Sequence, residues 1–237
     1  MNMPEHDTFA QLIEEAGEPE QAIKVGYEDI ERYGARLPNA LLRFWQEHGR
    51  GSYNNGSYWI CDPAPYQGII EAIFKDDPDF EPTQMTVVGY DAFAQIWIWH
   101  RQRYGITVDL LLGTVYNPPD RSRISSETGK QFSADFSVGN FLSNFLYFDP
   151  TTDEDGEPLL PQARARLGPL GHNEVYGFFP ALQLGGARRA ENLRRVSAPE
   201  HMLFLASLEP LTVTRLTDPE PGYPFGRIVP VRRVGSP

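Results

Sequence analysis

The stretch of residues 172–186, HNEVYGFFPALQLGG, constrains this chain more than any other segment of similar length. It places three aromatic side chains within four residues, at Tyr176, Phe178 and Phe179, and continues through a proline and two leucines into a double glycine. Clustered aromatic side chains usually pack in a core, so we expect all three rings to be buried. The stretch contains no spacing that is typical of a catalytic site.

A second segment of similar character spans residues 37–59, LPNALLRFWQEHGRGSYNNGSYW. Apolar residues recur between Asn39 and His48 with the 3.6-residue period of a helix, and Gly49 follows as a natural end. Residues 49–56 lack the lysine and the strand-before, helix-after context of a phosphate-binding loop. We therefore interpret them as a tight glycine-rich turn that precedes a strand at residues 57–61.

Hydrophobic periodicity elsewhere predicts an α+β fold. Apolar residues at helical spacing predict further helices over residues 9–16, 27–33, 66–74, 136–148, 159–167 and 199–208. Alternating or continuously apolar runs predict strands over residues 85–88, 93–100, 106–112 and 114–116. This order predicts a mixed or antiparallel central sheet, with helices before and after it in sequence.

The polar loop at residues 149–158, DPTTDEDGEP, is the best candidate for a boundary within the chain or for a flexible lid. We predict an α+β domain over residues 1–150 and a C-terminal helical part over residues 151–216 that packs on it. The last twenty residues contain five prolines and three glycines. We expect residues 217–237 to form an extended or disordered tail.

Negative charge is concentrated in the first part of the chain. The 237 residues carry a net charge of -11. Through Asp91 there are 17 acidic and 6 basic residues, whereas from Ala92 onward there are 15 of each. Such a field disfavours direct contact with nucleic acid and favours a basic protein partner, although acidity also serves solubility.

Residues 76–81 form an acidic loop that two prolines stiffen. One interpretation is a solvated connection between two elements. The other is a fixed negative surface that meets a basic groove on a partner, because a stiffened loop loses little entropy on binding. We predict partner binding by the carboxylates of this loop and by one further aspartate: Asp76, Asp77, Asp79, Glu81 and Asp91.

Motifs for metal, cofactor or nucleophile chemistry are missing from the sequence. None of the five histidines lies in an HExxH motif or at zinc-ligand spacing from a cysteine, so we expect no metal and no cofactor. There is also no G-x-S-x-G elbow. We predict a protein without catalytic activity. An enzyme hypothesis stays open only for a site assembled from scattered residues, namely His172, Glu174, Tyr176 and Asp91.

The sequence also favours a cytoplasmic protein. It contains no run of about 18 apolar residues that could span a membrane and no secretory signal at its N-terminus. Its single cysteine, Cys61, excludes an internal disulfide and is expected to be a buried structural thiol.

Five segments together resemble the GAD-like family with the appended domain of type VI secretion DNase immunity proteins. The resemblance extends from Phe9 to Leu208, and the Leu-Pro, Phe-Trp and Gly pattern of residues 37–49 is also similar to the broader SMI1/KNR4-like immunity superfamily. The segments are LPNALLRFWQEHGRGSYNNGSYW, DPAPYQGII, VVGYDAFAQIWIW, HNEVYGFFPALQLGG and PEHMLFLASL.

This resemblance implies an antitoxin. Such a protein binds a cognate secreted nuclease encoded nearby and neutralises it in the cytoplasm by covering its basic substrate groove or its active site. It contacts neither nucleic acid nor membrane directly. The alternative is an interaction or regulatory module that shares the fold without an immunity role, because a fold does not determine a function.

Overall fold

The protein's structure, a computed structural model, covers residues 8–118, 129–144, 150–224 and 226–236. Within these ranges the chain forms seven α-helices and eleven strands. The helices are α1 (Thr8–Ala16), α2 (Tyr27–Tyr33), α3 (Asn39–His48), α4 (Gln67–Phe74), α5 (Ala134–Ser143), α6 (Leu159–Leu167) and α7 (Ala198–Leu208). The strands are β1 (Glu20–Ile23), β2 (Arg50–Tyr53), β3 (Tyr58–Ile60), β4 (Met85–Asp91), β5 (Gln95–His100), β6 (Tyr104–Asp109), β7 (Thr114–Tyr116), β8 (Glu174–Phe178), β9 (Leu193–Ser197), β10 (Thr212–Leu216) and β11 (Ile228–Arg233).

A mixed sheet of nine strands organises the described part of the chain. Its order is β1-β2-β3-β4-β5-β6-β7-β10-β11, and every pair is antiparallel except β7 and β10, which are parallel. The strands β8 and β9 form a separate antiparallel pair. The predicted α+β class with a mixed central sheet is confirmed.

Both faces of the large sheet are covered by helices. Successive side chains of a strand point to opposite faces, and β5 shows this directly. Ile96 and Ile98 join a core cluster with residues of α4, α6 and α7, whereas Trp97 and Trp99 join a second cluster with residues of α1, α3 and α5. The helices predicted from periodicity therefore supply the two outer layers.

The glycine-rich segment is a strand rather than a turn in its first half. Residues 50–53 form β2, and the turn follows it. The glycines allow β1 to approach this part of the chain closely. A Cβ at Gly49 would lie 2.7 Å from the Ile23 carbonyl oxygen, and one at Gly51 would lie 2.5 Å from the Glu20 carbonyl oxygen. The turn predicted at residues 49–56 begins only after Tyr53, because a sequence does not show that a neighbouring strand needs the space beside Gly49 and Gly51.

The C-terminal residues contribute to the large sheet. Strand β11, within the predicted tail, pairs antiparallel with β10 and forms one edge of the sheet. The predicted helical part over residues 151–216 also contains β8, β9 and β10. The predicted helix over residues 136–148 corresponds to α5, and residues 145–149 lie outside the described ranges. The division of the chain at residue 150 stays a prediction.

The described helices are all unsuited to a membrane span, because each is too short or too polar to cross a bilayer.

Candidate partner-binding surface

Asp77, one of the predicted binding residues, is a structural anchor inside the acidic loop. Its side chain is fully buried, with 0% exposure, and forms an ion pair with Arg232 at 2.6 Å. A second guanidinium nitrogen of Arg232 donates to the other carboxylate oxygen at 2.8 Å, and the Gly235 N–H donates at 2.8 Å. Burial alone would raise the pKa of Asp77, but these donors outweigh it and hold the pKa at about 2.

Asp79 is also paired with arginine. It lies 2.7 Å from Arg232 and 3.4 Å from Arg103, and both guanidinium groups lie near the ring of Phe80. The remaining loop carboxylates, Asp76 and Glu81, are exposed. The structure brings the four loop residues together, but it pairs the charges of two of them with arginines of the same molecule.

Asp91 is separated from this loop by the length of a strand. It ends β4, whose seven residues place it roughly 20 Å from the end that follows the loop. Its carboxylate accepts hydrogen bonds from the backbone N–H groups of Phe93 at 2.9 Å and Gln95 at 2.7 Å. Burial raises the pKa of Asp91 to about 7, against the opposing effect of these donors. The residue shapes the turn between β4 and β5.

The residues of the enzyme hypothesis each make a structural contact within the fold. His172 Nε2 lies 2.7 Å from the Gln21 carbonyl oxygen, and the Tyr176 hydroxyl donates to the Gly168 carbonyl oxygen at 2.6 Å. Glu174 accepts from the Gly171 N–H at 2.7 Å. Among the described residues there is also no group of three or more His, Cys, Asp or Glu side chains that could hold a metal ion.

A cavity of about 740 Å³ lies elsewhere, between the sheet strands β6 and β7 and helix α5. Aromatic side chains form much of its wall, and Asp109 and Gln95 are among its polar residues. None of the four residues of the enzyme hypothesis lines it. The cavity therefore gives that hypothesis no support.

The aromatic cluster of residues 176–179 is buried only in part. Tyr176 and Phe178 are each 1% exposed, as predicted, whereas the prediction for Phe179 is wrong, since its exposed fraction is 37%. Strand β8 ends at Phe178, and Phe179 turns toward the guanidinium group of Arg194, 5.0 Å from its ring. The His201 ring lies 5.6 Å from the ring of Phe179 and 6.1 Å from that of Phe204, which is 43% exposed. We define the α7 patch as Phe179, Phe204 and Arg194.

A second exposed surface follows α1 in the chain. Here Tyr27 is 76% exposed and Ile23 is 50% exposed, and exposed glutamates precede and follow both. We call it the β1–α2 surface and define it as Glu18, Glu20, Ile23, Tyr27, Glu28 and Glu31. These charges belong to the acidic first part of the chain, but the binding surface predicted from the sequence lies on the proline-stiffened loop at residues 76–81. A tyrosine flanked by glutamates is the signal that the sequence offers for this surface.

Long-range hydrogen bonds hold the β1–α2 surface in place. Gln21 donates from its side-chain amide to the Leu170 carbonyl oxygen at 3.0 Å, while its own carbonyl oxygen contacts His172. Glu20 accepts from the Asn55 N–H at 3.1 Å. Beneath α2, Asp29 pairs with the buried Arg50 at 2.8 Å. The segment is thus exposed yet fixed to two distant parts of the chain, residues 50–55 and 170–172.

Two family matches cover most of the chain. Residues 7–112 match the GAD-like domain, and residues 131–209 match the C-terminal domain of the type VI secretion system (T6SS) immunity protein Tdi1. The chain belongs to the GAD-like T6SS immunity family. Membership supports an immunity role for this family member and implies that it binds a cognate effector toxin.

A solved structure supports the same fold for this member of the immunity family. The crystal structure of Atu4351 from Agrobacterium tumefaciens matches it with 26% sequence identity and a TM-score of 0.81. The match covers 96% of this chain and 98% of that one. A comparison with curated proteins finds no match.

Proposed function

We propose that this chain neutralises a secreted T6SS DNase by covering the basic substrate groove or the active site of the toxin. The observation that carries the proposal is the match of residues 131–209 to the C-terminal domain of an immunity protein. In this role the chain acts in the cytoplasm of the producing cell, without a catalytic step or a cofactor of its own. Its partner is a nuclease encoded close to its own gene.

The distribution of charge supports a nuclease as the target. A DNase needs positive charge to hold DNA phosphates, and an acidic protein can compete with DNA for that charge. All of the excess negative charge of this chain lies in its first 91 residues. Much of it is exposed along α1, β1 and α2, whereas arginines of the same molecule pair with Asp77 and Asp79.

The test is to express the neighbouring nuclease with and without this chain and to measure cell growth and DNA cleavage. We expect the chain to restore growth, to copurify with the nuclease and to stop cleavage at equal molar amounts. The affinity should fall as salt is added, because salt screens attraction between an acidic surface and a basic groove. A nuclease that stays active in excess immunity protein would overturn the proposal and favour an interaction module with another role.

A further inference from the structure

We propose that the β1–α2 surface is the docking surface for the toxin, with Tyr27 and Ile23 as apolar anchors and the surrounding glutamates facing basic groups. The inference rests on the proposed function, since its occupant is the basic groove of a nuclease. It differs from the sequence-based prediction, which placed partner binding at residues 76–81 and Asp91.

Charge distinguishes the two exposed apolar surfaces described above. On the α7 patch, a guanidinium group lies over Phe179. A basic partner would be repelled by this arginine. On the β1–α2 surface, glutamates flank the apolar side chains. The basic residues there are Lys24 and Arg32, and the charge of Arg32 is paired with Asp29 at 3.3 Å. Electrostatic complementarity therefore favours the β1–α2 surface for a partner that binds DNA.

The arrangement of α2 concentrates these features on one face. Tyr27 and Glu31 are four residues apart and Glu28 and Glu31 are three apart, so their side chains are neighbours on the helix surface. Within the described ranges, the side chains of Glu28 and Glu31 have no hydrogen-bond or ion-pair partner. Their charge is available to a partner, unlike the charge of Asp77. Tyrosine is also among the residues that most often dominate binding energy when they become buried.

The surface is preorganised for side-chain docking. The contacts of Gln21 with Leu170 and His172 hold β1, so little conformational entropy would be lost on binding. A register shift interrupts the pairing of β1 with β2, and Gln21 has a φ of 53° there. Such an irregular edge disfavours the addition of a strand from another chain. We therefore assign recognition to the exposed side chains of β1 and α2.

The experiment measures binding of the full-length chain to a catalytically inactive form of the neighbouring nuclease at fixed salt. The test variants are Tyr27→Ala and the double variant Glu28→Lys/Glu31→Lys. Each test variant has a matched control on another surface. The control for Tyr27→Ala is Phe204→Ala, which removes an exposed aromatic ring from the α7 patch. The double variant Asp76→Lys/Glu81→Lys makes the same change in net charge on the acidic loop. All these residues are exposed, so the melting temperatures should stay close to that of the wild type.

We expect Tyr27→Ala to weaken binding about 30-fold, the loss typical of an aromatic hot spot. The Glu28→Lys/Glu31→Lys variant should lose at least about 100-fold and associate more slowly, because like charges then meet. Both controls should stay within about threefold of the wild type, since surface changes outside an interface have small effects.

Three results would overturn the assignment. If the wild type binds and inhibits the nuclease while the two test variants bind equally well, the docking surface lies elsewhere and the proposed function stands. If the wild type does not bind, the proposed function fails and this inference fails with it. If Tyr27→Ala disrupts a dimer of this chain but leaves toxin binding intact, the surface serves self-association.

Discussion

Arg232 shows how a single residue can decide what an acidic loop does. Its guanidinium group binds Asp77 and Asp79, so a loop whose composition is typical of a negative surface becomes the attachment point of the C-terminal strand. The two partners Arg232 and Asp77 are 155 residues apart in the sequence. A charged residue therefore has to be interpreted together with its partner before it is assigned to an interface.

Replacing Arg232 with alanine should lower the free energy of unfolding by roughly 3 kcal/mol, because it leaves the Asp77 carboxylate buried without its cation. The matched control is Arg227→Ala on the same tail, whose ion pair with Glu220 is largely exposed. That change should cost less than about 1 kcal/mol. Urea unfolding followed by circular dichroism gives the free energy of unfolding of both variants. Equal losses in the two variants would show that the buried Arg232–Asp77 pair stabilises the fold no more than an exposed ion pair does.

The buried carboxylate of Asp91 should make stability depend on pH. Its pKa is about 7 in the folded protein and near 3.8 in the unfolded chain, so the wild type loses stability as pH rises through this window. An Asp91→Asn variant keeps an acceptor for the Phe93 and Gln95 N–H groups without the charge. The stability of this variant relative to the wild type should improve by roughly 2–3 kcal/mol between pH 5 and pH 8.

Urea unfolding at both pH values measures this change. Asp76→Asn, on the exposed loop, is the control and should show little difference between the two conditions. A constant difference between Asp91→Asn and the wild type would mean that Asp91 stays ionised throughout.

At the scale of elements, local periodicity predicted helices better than it predicted the roles of glycine and aromatic residues. The helix α3 follows its apolar stripe from Asn39 to His48, because burying one helical face produces a 3.6-residue repeat within the element itself. Exposure of Phe179 and the strand at residues 50–53 depend on neighbours that are distant in sequence. No local repeat records such neighbours.

Phe178 and Phe179 offer a matched test at the end of β8. Phe178 is 1% exposed and packs near Phe93, with ring centroids 6.5 Å apart, so Phe178→Ala should cost about 3–5 kcal/mol of stability. Phe179→Ala removes a ring that is 37% exposed and should cost about 1 kcal/mol. Thermal and urea unfolding of the two variants measure the difference, and a near-normal melting temperature for Phe178→Ala would contradict the described core.

At the scale of the whole molecule, the regions of the two family matches are connected by strand pairing and by a common core. Strand β10 follows the second matched region and pairs in parallel with β7, which follows the first. Helix α7 packs against α4, and one core cluster includes Ile69 of α4 and Met202 of α7. Neither matched region buries its apolar surface without the other.

We therefore expect the full chain to unfold in one cooperative transition. Scanning calorimetry should give a calorimetric enthalpy equal to the van't Hoff enthalpy, the test for two-state unfolding. A chain ending at residue 150 should lack this transition, because it loses α7 and the strands β10 and β11. Two separate transitions in the full chain would instead indicate independently stable halves.

The sequence by itself determined the α+β class, most of the helices and the family, because these depend on periodicity and on local motifs that a linear chain displays directly. It also located the excess negative charge in the first part of the chain. Only the tertiary structure decided which of those charges remain available. Arg232 returns from the far end of the chain to bind Asp77, whereas Glu28 and Glu31 stay exposed on α2 beside Tyr27. Ion pairing acts through distance in space, and a sequence does not record which distant residues the fold brings together.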